Sequence, residues 1–311
     1  MTYQPAAISD DQTTLPKLPS WVTSGRAETP ETVAFRSGAA LTVLNQLVSD
    51  PNHGMPSNLL ANRLALKAAT ATSKLEGRLA READIRDAYH LTPPGEARGP
   101  DGDLLAFCRE AAPLKLTGRD WQAGLNGFVG PELEMNVDGL LQSAANQSQS
   151  HGPLTGCVAV MRAVLQADDR AERVACLMSD IVLARFLNWP SVLPISAQYL
   201  TKAMLRDLFG DGQGADLVVK KRISQSIEEA IRLARDLAQR GAALRTVAPR
   251  LRAKGSDAAV APSTKLSPLI QGTTIPMTDR AARRFCDRLV ELGVAQELTG
   301  RPTFRLYGIV P

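Results

Sequence analysis

Arginines are concentrated between Met277 and Tyr307, where their guanidinium groups could bind the phosphates of a polyanion. Four of them recur at helical spacing on one side of a predicted helix: Arg280, Arg283, Arg284 and Arg288. Two more, Arg301 and Arg305, lie in or beside a predicted hairpin that follows this helix. A helix that shows arginines to solvent beside a basic hairpin can lie in the major groove of duplex DNA while the hairpin contacts the backbone.

The helix that must position these arginines has a predicted start and a predicted end. Thr278 can cap the first turn through its hydroxyl, and Asp279 places a negative charge at the positive end of the helix dipole. Gly293 is typical of the left-handed residue that ends a helix. Between them one apolar stripe recurs at helical spacing, formed by Ala281, Phe285, Leu289 and Leu292.

Two short segments after Gly293 have the composition of strands. Val294–Leu298 and Thr303–Tyr307 are rich in β-branched, aromatic and alternating residues, and the turn residues Thr299–Pro302 separate them. A helix followed by such a hairpin is the order found in a winged helix-turn-helix. The sequence therefore predicts a small C-terminal winged helix, with duplex DNA as its partner.

Two other functions fit the same residues. An arginine-rich helix face is commonly just a solvated surface, and winged helices also serve as protein-interaction modules. Glu291 and Glu297 reduce the local positive charge. A non-enzymatic scaffold that binds a protein partner, or a homodimer, is therefore an alternative to DNA binding.

Composition favours close-packed helices and excludes several classes of protein. Alanine and leucine dominate a hydrophobic content of 44%, and aromatic residues make up 5%. The net charge of +4 is compatible with DNA binding but too small to demonstrate it. No apolar run reaches the ~18 residues of a membrane span, and no secretory signal is visible at the start, so we expect a cytoplasmic protein without membrane association.

The order of these features predicts a mainly α fold, in which a helical bundle-like domain precedes the winged helix. Helical spacing and caps recur along most of the chain. The predicted helices include one that starts at Thr29–Pro30–Glu31 and runs to about Ser49, one from Ser57 to Leu75 that ends before Gly77, the apolar helices Leu154–Leu165 and Ala171–Leu187 that we expect in the core, Ser196–Phe209 and Ala215–Arg240. The predicted parts are a flexible N-terminal arm at 1–28, an all-helical domain at 29–253 with a possible internal loop at 143–152, a linker at 254–264 and the winged helix at 265–311.

Asp180 is the most unusual charge predicted inside the helical domain. It lies in a helix, Ala171–Leu187, that is apolar nearly all round, so its carboxylate needs a partner. An arginine or a hydroxyl from another helix would suit. Together with Glu76, Asp180 marks a possible buried polar link or a ligand site, and a ligand-sensing or enzymatic domain is a further alternative function.

Catalytic and metal-binding patterns are missing from the sequence. None of the three histidines has a second histidine or a carboxylate at metal-binding helical spacing, and no nucleophile elbow is present. The four cysteines are far apart and form no C-x-x-C pair, so we expect reduced, buried thiols. We therefore predict no catalytic residue, no metal site and no cofactor.

Across most of its length the chain resembles an uncharacterised family of alphaproteobacterial, often plasmid-borne proteins. The resemblance is carried by the terminal block MTDRAARRFCDRLVELGVAQELTGRPTFRLYG at Met277–Gly308, and by counterparts of Arg63–Leu91 and of DIVLARFLNWP at Asp180–Pro190. It implies a helical body with a C-terminal winged helix. It implies no particular activity, although transcriptional or plasmid-associated regulation would use DNA binding.

A second, partial resemblance concerns the segment TSKLEG, Thr72–Gly77, which is similar to the inhibitory helix of Fic-domain proteins. Several of those proteins also end in a winged helix with a comparable L-T-G-R hairpin. In that family the glutamate of the motif restrains an arginine that binds nucleotide phosphate. The catalytic signature H-P-F-x-x-G-N-G-R is absent from this chain, so nucleotide transfer is not expected and Glu76 is interpreted as structural or vestigial.

Overall fold

The computed structural model describes residues 15–25, 28–49, 57–117, 121–129, 136–210, 212–247, 269–270, 279–301 and 305–309. The part described is mainly helical, with a small antiparallel sheet near the C-terminus. The first helices are α1 (Ser20–Thr23), α2 (Pro30–Ser49), α3 (Ser57–Leu75), α4 (Glu82–Leu91) and α5 (Gly99–Ala111). A 3-10 turn (Trp121–Leu125) leads into α6 (Asn126–Val129), and then follow α7 (Val137–His151), α8 (Pro153–Ala167), α9 (Glu172–Phe186), α10 (Lys202–Phe209) and α11 (Ala215–Val247). The C-terminal elements are β1 (Leu269–Ile270), α12 (Asp279–Glu291), β2 (Gln296–Glu297) and β3 (Leu306–Gly308).

The start of α2 and the end of α3 follow the sequence signals closely. Thr29 caps α2, since its hydroxyl accepts a hydrogen bond from the backbone N–H of Thr32 at 3.3 Å. Helix α3 ends at Leu75, just before Gly77, whose φ of +78° is the left-handed conformation that glycine favours. Local capping residues are therefore sufficient to define these two elements.

The polar segment 143–152 is a helix in the structure, and the prediction of a loop there is wrong. Residues 143–151 belong to α7, which is capped upstream by Asn136, whose side-chain oxygen accepts from Gly139 N at 2.9 Å. Ala144 and Ser148 of this helix are buried. The helix packs closely on α8, because a Cβ at Gly156 of α8 would lie only 2.3 Å from the carbonyl oxygen of Ala144.

Helices α8 and α9 are largely buried in the core, as predicted, and the chain after them differs from prediction. A helix was expected over Ser196–Phe209, but residues up to Thr201 are irregular and only α10 is helical. Farther on, α11 is a single helix of 33 residues that extends past the predicted end at Arg240. Its apolar stripe packs along α2.

An ion pair joins α2 to α11 near their packed faces. The guanidinium of Arg36 contacts both carboxylate oxygens of Glu228, with Nε to Oε1 at 2.5 Å and Nη2 to Oε2 at 2.8 Å. The side chain of Glu228 is only 7% exposed and that of Arg36 is 20% exposed. Paired carboxylate and guanidinium charges are thus buried together, as burial of charge requires.

Part of the predicted N-terminal arm contacts the helical body. Arg235 of α11 donates to the carbonyl oxygen of Pro16 at 2.8 Å and also to that of Leu15. Trp21 in α1 stacks at 6.0 Å on Phe35 of α2, and both rings remain largely exposed. Residues 15–25 of the predicted flexible arm therefore contact the helical body, while residues 1–14, 26 and 27 lie outside the described part.

The C-terminal sheet has the strand order β1-β3-β2 and is antiparallel throughout. Leu269 pairs with Tyr307, which in turn pairs with Glu297 across β2. Apolar side chains of α12 and β3 belong to the same buried cluster as the helical body. The predicted linker at 254–264 lies outside the described residues.

No helix in the part of the chain that the structure describes is long and apolar enough to cross a membrane.

Candidate nucleic-acid interface

The buried face of α12 is rotated slightly from the predicted stripe. Phe285 and Leu289 are buried as expected, but Ala281 and Leu292 are only half-buried. The remaining buried positions are Ala282 and Cys286. Together the four buried positions follow the i, i+3, i+4, i+7 pattern of one helix face, so α12 packs through one apolar stripe that is rotated from the predicted one. The predicted cap, Thr278, lies outside the described residues.

The arginines of α12 all lie on its exposed side, as predicted: Arg280, Arg283, Arg284 and Arg288. Arg288 is paired within the helix, with Nη1 2.7 Å from Oε2 of Glu291. Among the residues that the structure describes, no carboxylate forms an ion pair with the other three. The solvent face of α12 thus presents three uncompensated guanidinium groups.

The turn after α12 is built from a glycine and a glutamate. Gly293 has a φ of +69° and ends the helix in the left-handed conformation, as predicted. Between β2 and β3, the carboxylate of Glu297 accepts from Thr299 N at 2.8 Å and from Gly300 N at 2.9 Å. Although burial opposes it, these hydrogen bonds hold the pKa of Glu297 below its ordinary value. Glu297 therefore closes the hairpin turn.

Three side chains of the helical body hold the C-terminal hairpin. Arg86 of α4 donates to the carbonyl oxygen of Leu298 at 2.9 Å and pairs with Asp87 at 2.7 Å. Arg63 of α3 donates to the carbonyl oxygen of Ile309. The third side chain is Asp87, whose carboxylate contacts Arg301 of the hairpin turn. The hairpin is thus fixed to α3 and α4 mainly through its backbone.

The two hairpin arginines have partners within the fold. Nη2 of Arg301 lies 3.5 Å from Oδ2 of Asp87, and the Arg301 side chain is 53% exposed. Nε of Arg305 donates to the carbonyl oxygen of Arg301 at 2.9 Å. The described residues therefore supply partners for three of the six predicted arginines and no carboxylate partner for the three others, Arg280, Arg283 and Arg284.

Asp180 is buried and bound by donors from the segment between α9 and α10. Its Oδ1 accepts from Ser196 Oγ at 2.7 Å, from Ser196 N at 2.8 Å and from Ile195 N at 3.1 Å. The partner is thus a hydroxyl, but from an irregular segment rather than from the helix that was predicted. Burial raises the pKa of Asp180 to about 7, and the hydrogen bonds from Ser196 and Ile195 oppose that increase.

One small cavity connects the two predicted interior carboxylates through an arginine. Asp180 and Arg173 both line it, and Arg173 binds Oε1 of Glu76 through Nε at 2.8 Å and Nη2 at 2.7 Å. Glu76 also pairs with Arg78 at 2.7 Å. The cavity holds about 20 Å³, which is room for one water molecule and not for an organic ligand.

The four cysteines are buried and free, as predicted. Burial raises the pKa of Cys108, Cys157 and Cys286 to about 12, so these thiols stay protonated at neutral pH. Among the described residues, no three or more His, Cys, Asp and Glu side chains are grouped so that they could hold a metal ion.

The comparison with known families identifies the chain at the level of a family. The profile of the family described as "Protein of unknown function (DUF1403)" matches residues 6–309. The chain belongs to the DUF1403 family. No curated protein sequence and no solved structure matches it.

Membership of DUF1403 bears on only one of the two resemblances seen in the sequence. A match over nearly the whole chain fits the resemblance to an uncharacterised family. The likeness of Thr72–Gly77 to the inhibitory helix of Fic-domain proteins, and a plasmid origin, stay predictions.

Several residues that matter for these sites carry no signal in the sequence of this DUF1403 protein. Arg173 and Ser196 are remote in sequence from the carboxylates that they contact, and nothing in the spacing around Asp87 points to Arg301. The contacts depend on how distant helices pack. Only a three-dimensional structure brings such partners together.

Proposed function

We propose that this DUF1403 protein binds duplex DNA through the solvent face of α12. The observation that carries the proposal is the placement of Arg280, Arg283 and Arg284 on one exposed face, without carboxylate partners in the described part of the chain. Guanidinium groups bind phosphates and base edges through paired hydrogen bonds. An exposed helix fixed by a buried apolar stripe can enter a major groove without rearranging the core.

The neighbouring sheet supports a winged-helix assignment for this region. Helix α12 stands between β1 and β2 in sequence, and β3 pairs with both of these strands. A helix followed by a hairpin whose second strand pairs with an earlier strand is the arrangement of a winged helix. In the proposed complex α12 is the recognition helix, and the β2–β3 hairpin is the wing.

The roles of the six arginines differ in the proposed complex. Arg280, Arg283 and Arg284 are free to face the groove, whereas Arg288 must exchange its contact with Glu291 for one with DNA. Arg301 is held by Asp87, and Arg305 lies against the hairpin backbone. We assign Arg301 and Arg305 to secondary phosphate contacts, because each already has a partner within the fold.

A salt titration of the full chain on mixed-sequence duplex DNA tests the proposal by fluorescence anisotropy. Phosphate contacts release counterions, so we expect affinity to fall steeply between about 50 and 200 mM salt. Arg284→Ala should reduce the slope of log affinity against log salt by about one unit if it contacts a phosphate, or cost about 1–3 kcal/mol at one base position if it reads a base. Arg232→Ala is the matched control, because Arg232 is exposed and pairs with Glu229 on α11.

Absence of binding by the wild-type chain at about 50 mM salt would overturn the proposal, because non-specific phosphate contacts are strongest there. Equal slopes together with equal affinities for the wild type and Arg284→Ala would instead place the interface on another face. Both outcomes are readable without knowledge of a specific DNA site.

A protein-interaction scaffold is the second candidate, and a specific observation favours it. The hairpin is fixed to the helical body by Arg86, Arg63 and the Asp87–Arg301 pair. A hairpin fixed in this way forms one continuous surface with the helical body, as a scaffold that binds a protein partner requires. Capture of a partner by wild-type chain but not by Arg284→Ala, without DNA binding, would support this function.

A further inference from the structure

Two arginines of the helical body converge on one tyrosine where α4 meets α5. The guanidinium carbon of Arg98 lies 5.1 Å from the ring centre of Tyr89, and that of Arg109 lies 5.0 Å from the same centre. Arg98 immediately precedes α5, Arg109 lies within it, and Tyr89 lies near the end of α4. We call this group the α4–α5 seam. Stacking on an aromatic ring holds each guanidinium in place.

The two positive charges of the seam have no negative partner in the part of the chain that the structure describes. In the described ranges, no carboxylate forms an ion pair with Arg98 or Arg109. Arg109 is partly buried, and burial lowers the pKa of its guanidinium. Guanidinium groups withdrawn from water normally have an anionic partner, because removal of a charge from water is costly. Among the described residues, the partly buried Arg109 therefore has no anionic partner, whereas the exposed Arg98 is accessible to water.

His90 positions Arg109 without adding charge. Nη1 of Arg109 lies 3.2 Å from Nε2 of His90. Since arginine has only donors, Nε2 must accept, and the ring is then neutral with its hydrogen on Nδ1. Burial, assisted by the charges of Arg109 and Arg86, lowers the pKa of His90 to about 3, so the ring stays neutral at physiological pH.

We propose that Arg98 and Arg109 bind a phosphate group at the α4–α5 seam, held in position by Tyr89 and His90. Two guanidinium groups present several N–H donors, and their fork geometry matches the oxygens of a phosphate. A bound phosphate would supply the anionic partner that neither guanidinium has among the described residues. The ligand class is a phosphoryl oxyanion, which can belong to a DNA backbone or to a free phosphorylated compound.

The seam adjoins the proposed DNA interface. Arg86 lies one helical turn before His90 on α4 and donates to the carbonyl oxygen of Leu298 in the hairpin. A duplex bound by α12 and the hairpin would therefore run close to the seam. This DNA source rests on the proposed function, whereas binding of a free phosphoryl compound does not.

Calorimetric titration of the full chain with inorganic pyrophosphate, at fixed ionic strength in chloride, tests the seam by itself. We expect saturable binding by the wild type and at least a tenfold loss of affinity in Arg98→Ala, which removes an exposed side chain and leaves the core intact. Arg232→Ala makes the same charge change elsewhere and should bind as the wild type does. Arg109→Ala should lose affinity as well.

A pair of variants tests the positioning role of His90. His90→Gln keeps a side-chain acceptor for Nη1 of Arg109 and should retain affinity for pyrophosphate, whereas His90→Ala should lose several-fold. Equal losses in both variants, at equal thermal stability, would remove the positioning role from the proposal.

The salt titration on duplex DNA separates the two sources of phosphate. If Arg98→Ala lowers the salt slope by about one unit, the seam holds a backbone phosphate. An unchanged slope together with lost pyrophosphate binding assigns the seam to a free phosphoryl compound. If Arg98→Ala changes neither measurement, the proposal is overturned. If the wild type binds no DNA at low salt, the proposed function fails. The pyrophosphate titration then still tests whether the seam binds phosphate.

Discussion

The helical body and α12 use arginine in opposite ways. In the body, Arg36 pairs with Glu228 and Arg173 pairs with Glu76, so these guanidinium groups join helices that are distant in sequence. On α12, three neighbouring arginines have no carboxylate partner among the described residues, and the α4–α5 seam is the place where the body resembles α12. The difference separates charges that stabilise the fold from charges left available to a ligand.

Burial explains why the two regions differ. A guanidinium that is mostly withdrawn from water must have a partner, because the unpaired charge would destabilise the fold. Water satisfies an exposed guanidinium equally well, so exposure alone assigns no function to it. What distinguishes α12 is the concentration of such groups on one face of a helix whose other face is buried. The seam differs again, because Arg109 is partly buried and has no carboxylate partner within the described ranges.

The largest effect on stability should come from Glu228. Glu228→Gln removes the charge that pairs with Arg36, and we expect a loss of about 3 kcal/mol in the free energy of unfolding, the lower end for a buried pair because Arg36 is partly exposed. Glu229→Gln is the matched control on the next residue; its partners Lys67 and Arg232 are more exposed, so the loss should stay within about 1 kcal/mol. Urea unfolding measures both. Equal losses would break the distinction between buried and exposed pairs.

Asp180 should make stability depend on pH. Its pKa in the folded chain is raised by burial to about 7, so between about pH 4 and 7 the folded state holds a proton that the unfolded state has lost. Stability should therefore fall as pH rises through this window, by up to about 1.4 kcal/mol per pH unit from this group. Asp180→Asn keeps an acceptor for Ser196 and Ile195 and should flatten that dependence.

Urea unfolding at pH 5 and pH 7 compares Asp180→Asn with the wild type. Asp103→Asn, an exposed carboxylate on α5, provides the control and should retain the wild-type difference between the two pH values. If Asp180→Asn also retains it, another buried group causes the pH dependence.

A smaller effect is expected where the hairpin is fixed to α4. Asp87→Asn weakens the pairs with Arg301 and Arg86, and we expect faster amide hydrogen exchange in β2 and β3, equivalent to about 1 kcal/mol of local stability. Glu82→Gln, an exposed change on the same helix, should leave exchange unaltered. Unchanged exchange in Asp87→Asn would show that the Arg86 and Arg63 contacts to the backbone hold the hairpin by themselves.

The smallest effects on stability should be those of the α12 arginines. Arg284→Ala and Arg288→Ala should each change the free energy of unfolding by less than about 0.5 kcal/mol, since both side chains are exposed. On DNA we expect Arg284→Ala to reduce the salt slope more than Arg288→Ala, because Arg288 already shares its charge with Glu291. A larger reduction in Arg288→Ala would move the interface toward the C-terminal end of α12.

Local signals predicted the elements that end in strong caps. Thr29 and Gly77 mark the bounds of α2 and α3, and Gly293 marks the end of α12, because capping depends on residues within one turn of the helix end. The exposed arginines of α12 were also predictable from the local sequence, because helical spacing alone places them on one side of the helix. The sequence predicted Ala281 in the buried stripe, where the structure has Ala282, because either of two adjacent alanines can join the stripe until the packing partner of the helix is known.

The partners of buried charges could not be predicted. Asp180 was recognised as a carboxylate in need of a partner, but Ser196 and Ile195 reach it only because the segment after α9 folds back over that helix. Likewise, Glu76 finds Arg173 through the packing of α3 near α9. These contacts are set by tertiary structure, which leaves no periodic pattern in the sequence.

Gly156 of α8 permits the conformation of the neighbouring helix α7. The polar residues of α7 would be typical of a loop, yet they lie against α8 because Gly156 lacks a side chain at the point of closest approach. A methyl group there would occupy the space of the Ser148 hydroxyl and the Ala144 carbonyl oxygen. The conformation of residues 143–151 is thus specified partly by a residue outside them. The sequence of residues 143–151 alone, or a mutational scan confined to them, would therefore miss the position that permits the helix.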